Sequence, residues 1–357
     1  MRLVLFASLR RQPSMERYAR ALGAALAELD SSIEIGFAPP AGFSSAPFHW
    51  RKYVSYQRAA RKWAGDVNHV IDHGYAHLVS ALPAGGSVVT VHDMGPLWSG
   101  RSAFGNREGG WRAARAYAYS VKAMRKAARV VAVTEATRHD LLEYTGWQED
   151  RVAVVHSGVE KHFAPAEPAR LPERKGLAGK RFILHVGAST ARKNLEVVVR
   201  ALRELDSELL LVKAGAALEA PERSLAESLG VAGRIIEIGG VNDDDLPALY
   251  SAAEALVFPS LYEGFGWPPL EAMACGTPAI VSDIPALRET SGPGALVLRD
   301  AGSPRELAGA VRKCLRCAPG RDGLAARGRE RAAGFTWEGT AAAYLRIYRQ
   351  IAEARGA

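Results

Sequence analysis

Cysteine is scarce. In 357 residues there are only Cys275, Cys314 and Cys317, an odd number that excludes a disulfide-stapled secreted scaffold and points to a reducing compartment, the cytoplasm. Cys314 and Cys317 form one C-x-x-C, but tetrahedral zinc needs four ligands and neither a second pair nor nearby histidines supply them. They read as two small residues on an amphipathic helix. Long apolar runs are also missing. Nothing approaches the roughly 18 consecutive apolar residues of a membrane span, and "MRLVLFASLRR" holds too short an apolar stretch for a secretory leader; it reads as a first buried strand. The chain has no repeat of fixed period and no low-complexity tract. The first strand is not followed by G-x-G-x-x-G and "GFGW" lacks the third glycine, which speaks against a dinucleotide oxidoreductase.

What the chain does have is alternation. Short β-branched runs are followed by loops and then by Ala/Arg/Leu-rich segments of helical period, the pattern of parallel sheets covered by helices. In the first half the strands are "RLVLFA", "VNHVID", "SVVTVHD", "RVVAVT" and "VAVVHSG"; in the second, "RFILHVGAS", "ELLLVKAG", "RIIEIG", "ALVFPS" and "PAIVSD". The segment "HFAPAEPARLPERKGLAGK" between them is rich in Pro, Gly and charge without periodicity, a linker. An α/β chain of two doubly wound domains is expected, 1–165 and 166–336, with 337–357 closing it as a helix.

The net charge of +8 is uneven: the stretch 48–130 holds 13 Lys and Arg against four Asp and Glu. It lies mainly in "HWRKYVSYQRAARKWAG" and "WRAARAYAYSVKAMRKAARV", where bases and aromatics interleave at helical spacing. Such helices suit an anionic membrane surface or an acidic ligand; a solvated basic face is the plainer alternative. Nucleic acid is not indicated, because no recognisable binding module accompanies the charge.

In open α/β sheets, ligands sit beyond the carboxyl ends of the strands. There the sequence is polar: His92-Asp93 after "VVTV", Thr134-Glu135 after "VVAV", "ASTARKN" after "ILHVG", and "LYEGFGWPPLEAMACG" after "LVFPS". Arg192 and Lys193 stand beside a helix start, where amides and the helix dipole already favour an anion, so the pair makes a diphosphate clamp; a pair of cations exposed in a first helical turn is the plainer alternative. Gly264 and Gly266 permit close backbone approach, and Pro268 or Pro269 starts a helix that Gly276 ends. Glu263 falls in the loop and Glu271, eight positions on, in the first helical turn, both able to accept hydrogen bonds from sugar or ribose hydroxyls; a solvated turn residue at 263 and a glutamate that complements the helix dipole at 271 are the plainer alternatives.

Together these stretches resemble the retaining glycosyltransferases of family 4, whose mark is two glutamates separated by seven residues, here Glu263 and Glu271. "LHVGASTARKNLEVVVRAL", "VVAVTEATRHDLLEY" and "VNDDDLPALYSAAEALVFPS" match further family stretches, in family order, from about Val67 onward. The resemblance implies the GT-B architecture: two Rossmann-like domains with an interdomain cleft, the first binding acceptor, the second binding donor, and a last helix returning to the first. It implies a metal-independent, retaining hexosyltransferase that uses a UDP- or GDP-sugar as substrate without a cofactor. The acceptor would be a glycan or lipid-linked molecule, in cell-surface polysaccharide synthesis at the inner membrane face. Arg192 and Lys193 would hold the diphosphate, Glu271 the ribose, and Glu263 with Gly264, Phe265 and Gly266 the transferred sugar. Leu270 would line the donor site and the backbone near Val241 would read the base. His92 would reach the sugar from the first domain, and His73 in "VIDHGYAH" could face the same cleft. The family's Gly-Gly loop after the first strand is absent; "SLRRQPSMERYARAL" stands there, with Ser14 as a candidate helix cap. A nucleotide-sugar epimerase of the same fold, or a non-catalytic nucleotide-binding partner, is the alternative.

Overall fold

β1 (Arg2–Phe6) begins a six-stranded parallel sheet in a computed structural model that describes residues 1–9, 12–39, 43, 48–95, 111–166, 176–177 and 179–356. β2 (Glu34–Ala38), β3 (Val67–Val70), β4 (Ser87–Val91), β5 (Arg129–Ala132) and β6 (Val152–Val154) complete it in the order β2-β1-β3-β4-β5-β6. A second parallel sheet holds β7 (Phe182–Gly187), β8 (Leu210–Gly215), β9 (Ile235–Gly239), β10 (Ala255–Phe258), β11 (Ala279–Ser282) and β12 (Leu296–Leu298), ordered β12-β11-β10-β7-β8-β9. Central strands such as β3, β4, β10 and β11 are buried along their whole length, as expected of sheets covered on both faces.

The chain forms two units, Met1–Gly158 with Thr336–Ala357, and Val159–Phe335. The division falls seven residues before the expected 165/166, between the stretch read as the last strand of the first half and the linker; residues 167–175 and 178 of that linker lie outside the described residues. In the first unit the closing helix Trp337–Gly356 packs against the first helix Pro13–Leu29, where the Tyr18 hydroxyl donates to that of Tyr344 at 2.8 Å. Behind this pair runs a buried polar chain. Tyr344 meets Thr90 at 2.6 Å, Thr90 meets His69 Nε2 at 2.6 Å, and His69 Nδ1 meets the Tyr348 hydroxyl at 2.7 Å.

Four local expectations need correction. β2 and β12 were not anticipated: both are edge strands, one carrying a glycine and half-exposed, the other only three residues long, so neither shows the apolar run of a central strand. Ser14 does not cap the first helix; Gln12 holds that place, Pro13 is the first helical residue and Ser14 the second, because proline fits the first turn, where its missing N–H costs nothing. Arg10 and Arg11 lie outside the described residues. Cys317 lies beyond the helix Pro304–Cys314 rather than on it. No helix among the described residues is long and apolar enough to cross a membrane.

Candidate active site

In the second unit the strand order reverses between β7 and β10, which are neighbours in the sheet. At such a switch point the loops leaving the two strands diverge and open a crevice. The loop after β7 carries Arg192 and Lys193 in a 3-10 turn, Ala191–Lys193, and the loop after β10 carries Glu263. Two links join the loops. The Leu261 amide donates to the Arg192 carbonyl at 2.8 Å, and the Asn194 side-chain amide donates to the carbonyls of Pro259 at 3.2 Å and Ala301 at 2.7 Å. Asn194 adopts a left-handed conformation, φ 54°, which asparagine tolerates better than most residues. It turns the chain sharply from Lys193 into the helix Leu195–Leu202.

The three charged groups meet. Lys193 Nζ lies 2.5 Å from Glu263 Oε1, and Arg192 donates to Glu263 Oε2 and to the Tyr262 carbonyl, each at 3.3 Å. Side-chain exposure is 9% for Lys193 and Glu263 and 28% for Arg192, so Lys193 is not the solvated first-turn lysine that a merely structural role would have produced. Its ammonium also stands 4.5 Å from the centre of the Phe258 ring. Burial works against the ionised carboxyl of Glu263, yet Lys193 and then Arg192 more than offset it and hold the group below its ordinary range. The expected diphosphate clamp and the expected sugar-binding carboxylate are thus one ion cluster. The amides of Ala188, Ser189 and Thr190 find no acceptor among the described residues, and consecutive unpaired amides form a concavity that favours anions.

Downstream, Gly266 has φ 92°, and a Cβ there would stand 2.5 Å from Leu287 Cδ2, so a side chain is excluded twice over. Phe265 is buried against Trp267 and Phe335, and its carbonyl accepts from the Thr290 hydroxyl at 2.9 Å. Gly264 is buried and Leu270 is fully enclosed. The helix runs Trp267–Ala274, starting at Trp267 because both prolines fit its first turn. Glu271 is therefore its fifth residue, in the second turn rather than the first, and what holds it is not the helix dipole. The Tyr250 hydroxyl donates to Glu271 Oε2 at 2.6 Å, and the residue is only 2% exposed. Val241 follows β9 at the sheet edge, half-buried, with two strands between β9 and β10.

In the first unit the switch point lies between β1 and β3. The Ser8 hydroxyl, after β1, and the Gly74 amide both donate to Asp72, after β3, at 2.8 Å. His92, after β4, places Nε2 2.9 Å from the Ile71 carbonyl, which can only accept, so the proton sits on Nε2 and Nδ1 is left as the acceptor. Burial, followed by the neighbouring His73, pushes His92 down to about 4, so it is a neutral imidazole at pH 7. Its ring meets that of Tyr18 edge-on at 4.9 Å, which couples it to the buried chain beneath the closing helix. His73 contacts the Tyr117 hydroxyl, which donates onward to the Asp93 carbonyl at 2.8 Å. Thr134 is the N-cap of the helix Glu135–Thr145, accepting from the Thr137 amide. In the basic stretch, a helical run over residues 48–63 exposes Arg58, Arg61 and Lys62, and a cavity of about 470 Å³ is lined by Tyr53, Val54, Gln57, Arg58, Arg61 and Ala81.

Sequence reasoning passed over Tyr250, Asn194 and Lys213. Lys213 alone carried a visible signal, a lysine within the apolar run "LLLVKAG" of a strand otherwise suited to full burial.

Residues 5–163 match the family described as Glycosyltransferase Family 4, and residues 170–331 the family described as Glycosyl transferases group 1. The chain is 33% identical over 252 residues to the serotype-specific mannosyltransferase WbdA of Escherichia coli, covering 64% of this chain and 30% of that protein. It is 29% identical over 236 residues to the O-antigen chain mannosyltransferase B of Escherichia coli, covering 62% and 60%. The matches thus span less than two thirds of either relative's length. Among solved structures, HepE of Anabaena in complex with UDP-glucose superposes with TM-score 0.75 over 100% of this chain and 99% of its own, at 17% identity, a likeness of fold.

Proposed function

Since the chain belongs to the family 4 glycosyltransferases, with a second unit of the group 1 type, we propose that it moves a hexosyl group from a nucleoside-diphosphate sugar to a glycan or lipid-linked acceptor. The anomeric configuration is retained, and the product is part of a cell-surface polysaccharide. The observation that carries this reading is the ion cluster of Arg192, Lys193 and Glu263 at the switch point of the second sheet. Breaking the anomeric C–O bond leaves an oxocarbenium-like sugar and puts negative charge on the departing diphosphate. Lys193, Arg192 and the unpaired loop amides stabilise that charge as it develops. They supply the positive charge that a metal ion would otherwise bring. Glu263 faces the cationic sugar and keeps both basic side chains in place before the donor arrives. Glu271, oriented by Tyr250, accepts from the ribose hydroxyls. In the first unit, Nδ1 of neutral His92 is the acceptor kept for a hydroxyl of a bound ligand. The acceptor attacks the face the diphosphate leaves, and a phosphate oxygen takes its proton. The relatives' names put mannosyl donors first among those to try, and the HepE complex adds UDP-glucose.

The test is a panel of UDP- and GDP-sugars, GDP-mannose and UDP-glucose included, scored by protection against thermal unfolding and by donor hydrolysis with and without EDTA. At least one donor should raise the melting temperature and turn over equally in both conditions. If none of them stabilises the protein, the donor assignment fails.

A further inference from the structure

Lys213 is fully buried on β8, directly opposite His185 of β7, and its ammonium makes three hydrogen bonds: to the carbonyls of Gly187 at 2.6 Å, Ala216 at 2.8 Å and Ala214 at 3.1 Å. Three N–H donors meet three carbonyl acceptors, a match that only the charged form achieves, since a neutral amine would turn a lone pair toward a carbonyl. Two of those carbonyls bear on the candidate phosphate loop. Gly187 ends β7 immediately before it, and Ala216 also accepts from the hydroxyl of Ser189 within it, at 3.1 Å. The backbones of the two strands approach so closely that a Cβ on Gly215 would stand 2.5 Å from the Gly187 oxygen. The loop that ends in Arg192 and Lys193 is therefore moored, through its first residues, to an ammonium on the neighbouring strand.

We propose that Lys213 is a positioning residue of the donor site, anchoring the Gly187 carbonyl and the Ser189–Ala216 contact so that the amides of Ala188, Ser189 and Thr190 stay directed at a diphosphate. The proposal rests on the donor assignment above. Charge supports it. Arg192 and Lys193 share the carboxylate of Glu263, and Lys213 adds a buried ammonium on the neighbouring strand, while Glu237 on β9 is engaged by Arg223 at 2.8 Å. Positive charge on this loop and its mooring complements the negative diphosphate of a nucleotide sugar. Burial, opposed by Glu237 and assisted by Lys193, brings the Lys213 ammonium down to about 8, so it is still charged at pH 7. His185, forced neutral by burial and then by Lys213 and Lys193, adds no competing charge.

The experiment measures dissociation constants for inorganic pyrophosphate, UDP and GDP by calorimetry at 15 °C, with the wild-type chain and the variants Lys213→Met and Ser189→Ala, folding being checked by circular dichroism. Lys213→Met keeps the aliphatic stem and removes the donors. It should weaken pyrophosphate at least tenfold, along with whichever of UDP and GDP the wild type binds. Ser189→Ala, a smaller change that spares the fold, should weaken the same ligands about threefold. A purely structural role for Lys213 would lower the melting temperature while leaving the dissociation constants of the folded protein unmoved, and that result overturns the proposal. If Lys213→Met fails to fold, unchanged binding by Ser189→Ala overturns it instead. Wild-type protein that binds none of the three ligands overturns the donor assignment together with this one, whereas wild-type binding matched by both variants removes this one alone.

Discussion

Replacing Glu263 by glutamine keeps the side-chain length and one acceptor oxygen but removes the charge that Lys193 meets at 2.5 Å and Arg192 at 3.3 Å. Water cannot take over that charge, because the side chains of Lys193 and Glu263 are each only 9% exposed. Removing one partner of an enclosed ion pair costs about 3–5 kcal/mol. The retained amide oxygen and the greater exposure of Arg192 set the expectation at the low end, about 3 kcal/mol. For a unit of this size that is a loss of roughly 6–12 °C in melting temperature. Pyrophosphate restores the missing negative charge, so it should stabilise Glu263→Gln more than it stabilises the wild type, even while donor turnover collapses. Thermal melts with and without pyrophosphate, alongside a turnover assay, measure both effects. A variant that melts with the wild type, or that gains no more from pyrophosphate, would refute the idea that Glu263 neutralises the two cations.

Three further outcomes are expected. Tyr250→Phe strips the Glu271 carboxylate of its 2.6 Å hydrogen bond, which should cost about 1.5–3 kcal/mol in urea unfolding and raise the donor KM; unchanged values would mean that Glu271 is held by other contacts. Acid should destabilise the first unit. Burial brings His77 and His92 down to about 4 and His69 to about 3, against 6.5 in the unfolded chain. Above pH 6.5 both states are neutral. As pH falls below that, the unfolded chain takes up protons the folded one refuses, so each histidine removes about 2 kcal/mol by pH 5, and a flat melting temperature between pH 7 and 5 would contradict the assignment. The exposed bases Arg58, Arg61 and Lys62 should draw the protein onto anionic liposomes at low salt and release it at about 0.5 M salt; if no binding occurs at low salt, these bases do not serve a membrane.

Much of the candidate site was legible because its chemistry sits in local sequence. Arg192 and Lys193 follow a β-branched run and precede a helix, while the glycines and prolines around Glu263 announce a tight loop and a helix start. The environment of each side chain was not legible. Glu271 was expected in the first turn, but its position follows from Trp267 starting the helix and from Tyr250, 21 residues earlier, reaching its carboxylate. His92 was expected to reach the sugar from the first domain, but nothing local told its protonation, which burial and the Ile71 carbonyl decide.

By itself the sequence determined the family, the alternation of strands and helices, ten of the twelve strands and the loops that bear charge. These properties are written in hydrophobic period and in turn residues, which act over a few positions. Only the tertiary structure decided the partnerships: Lys193 with Glu263 across 70 residues, Lys213 with Gly187 across 26, and Tyr348 with His69 across 279. Sheet order and register bring such pairs together, and those are set by the packing of the whole unit, which no local pattern encodes.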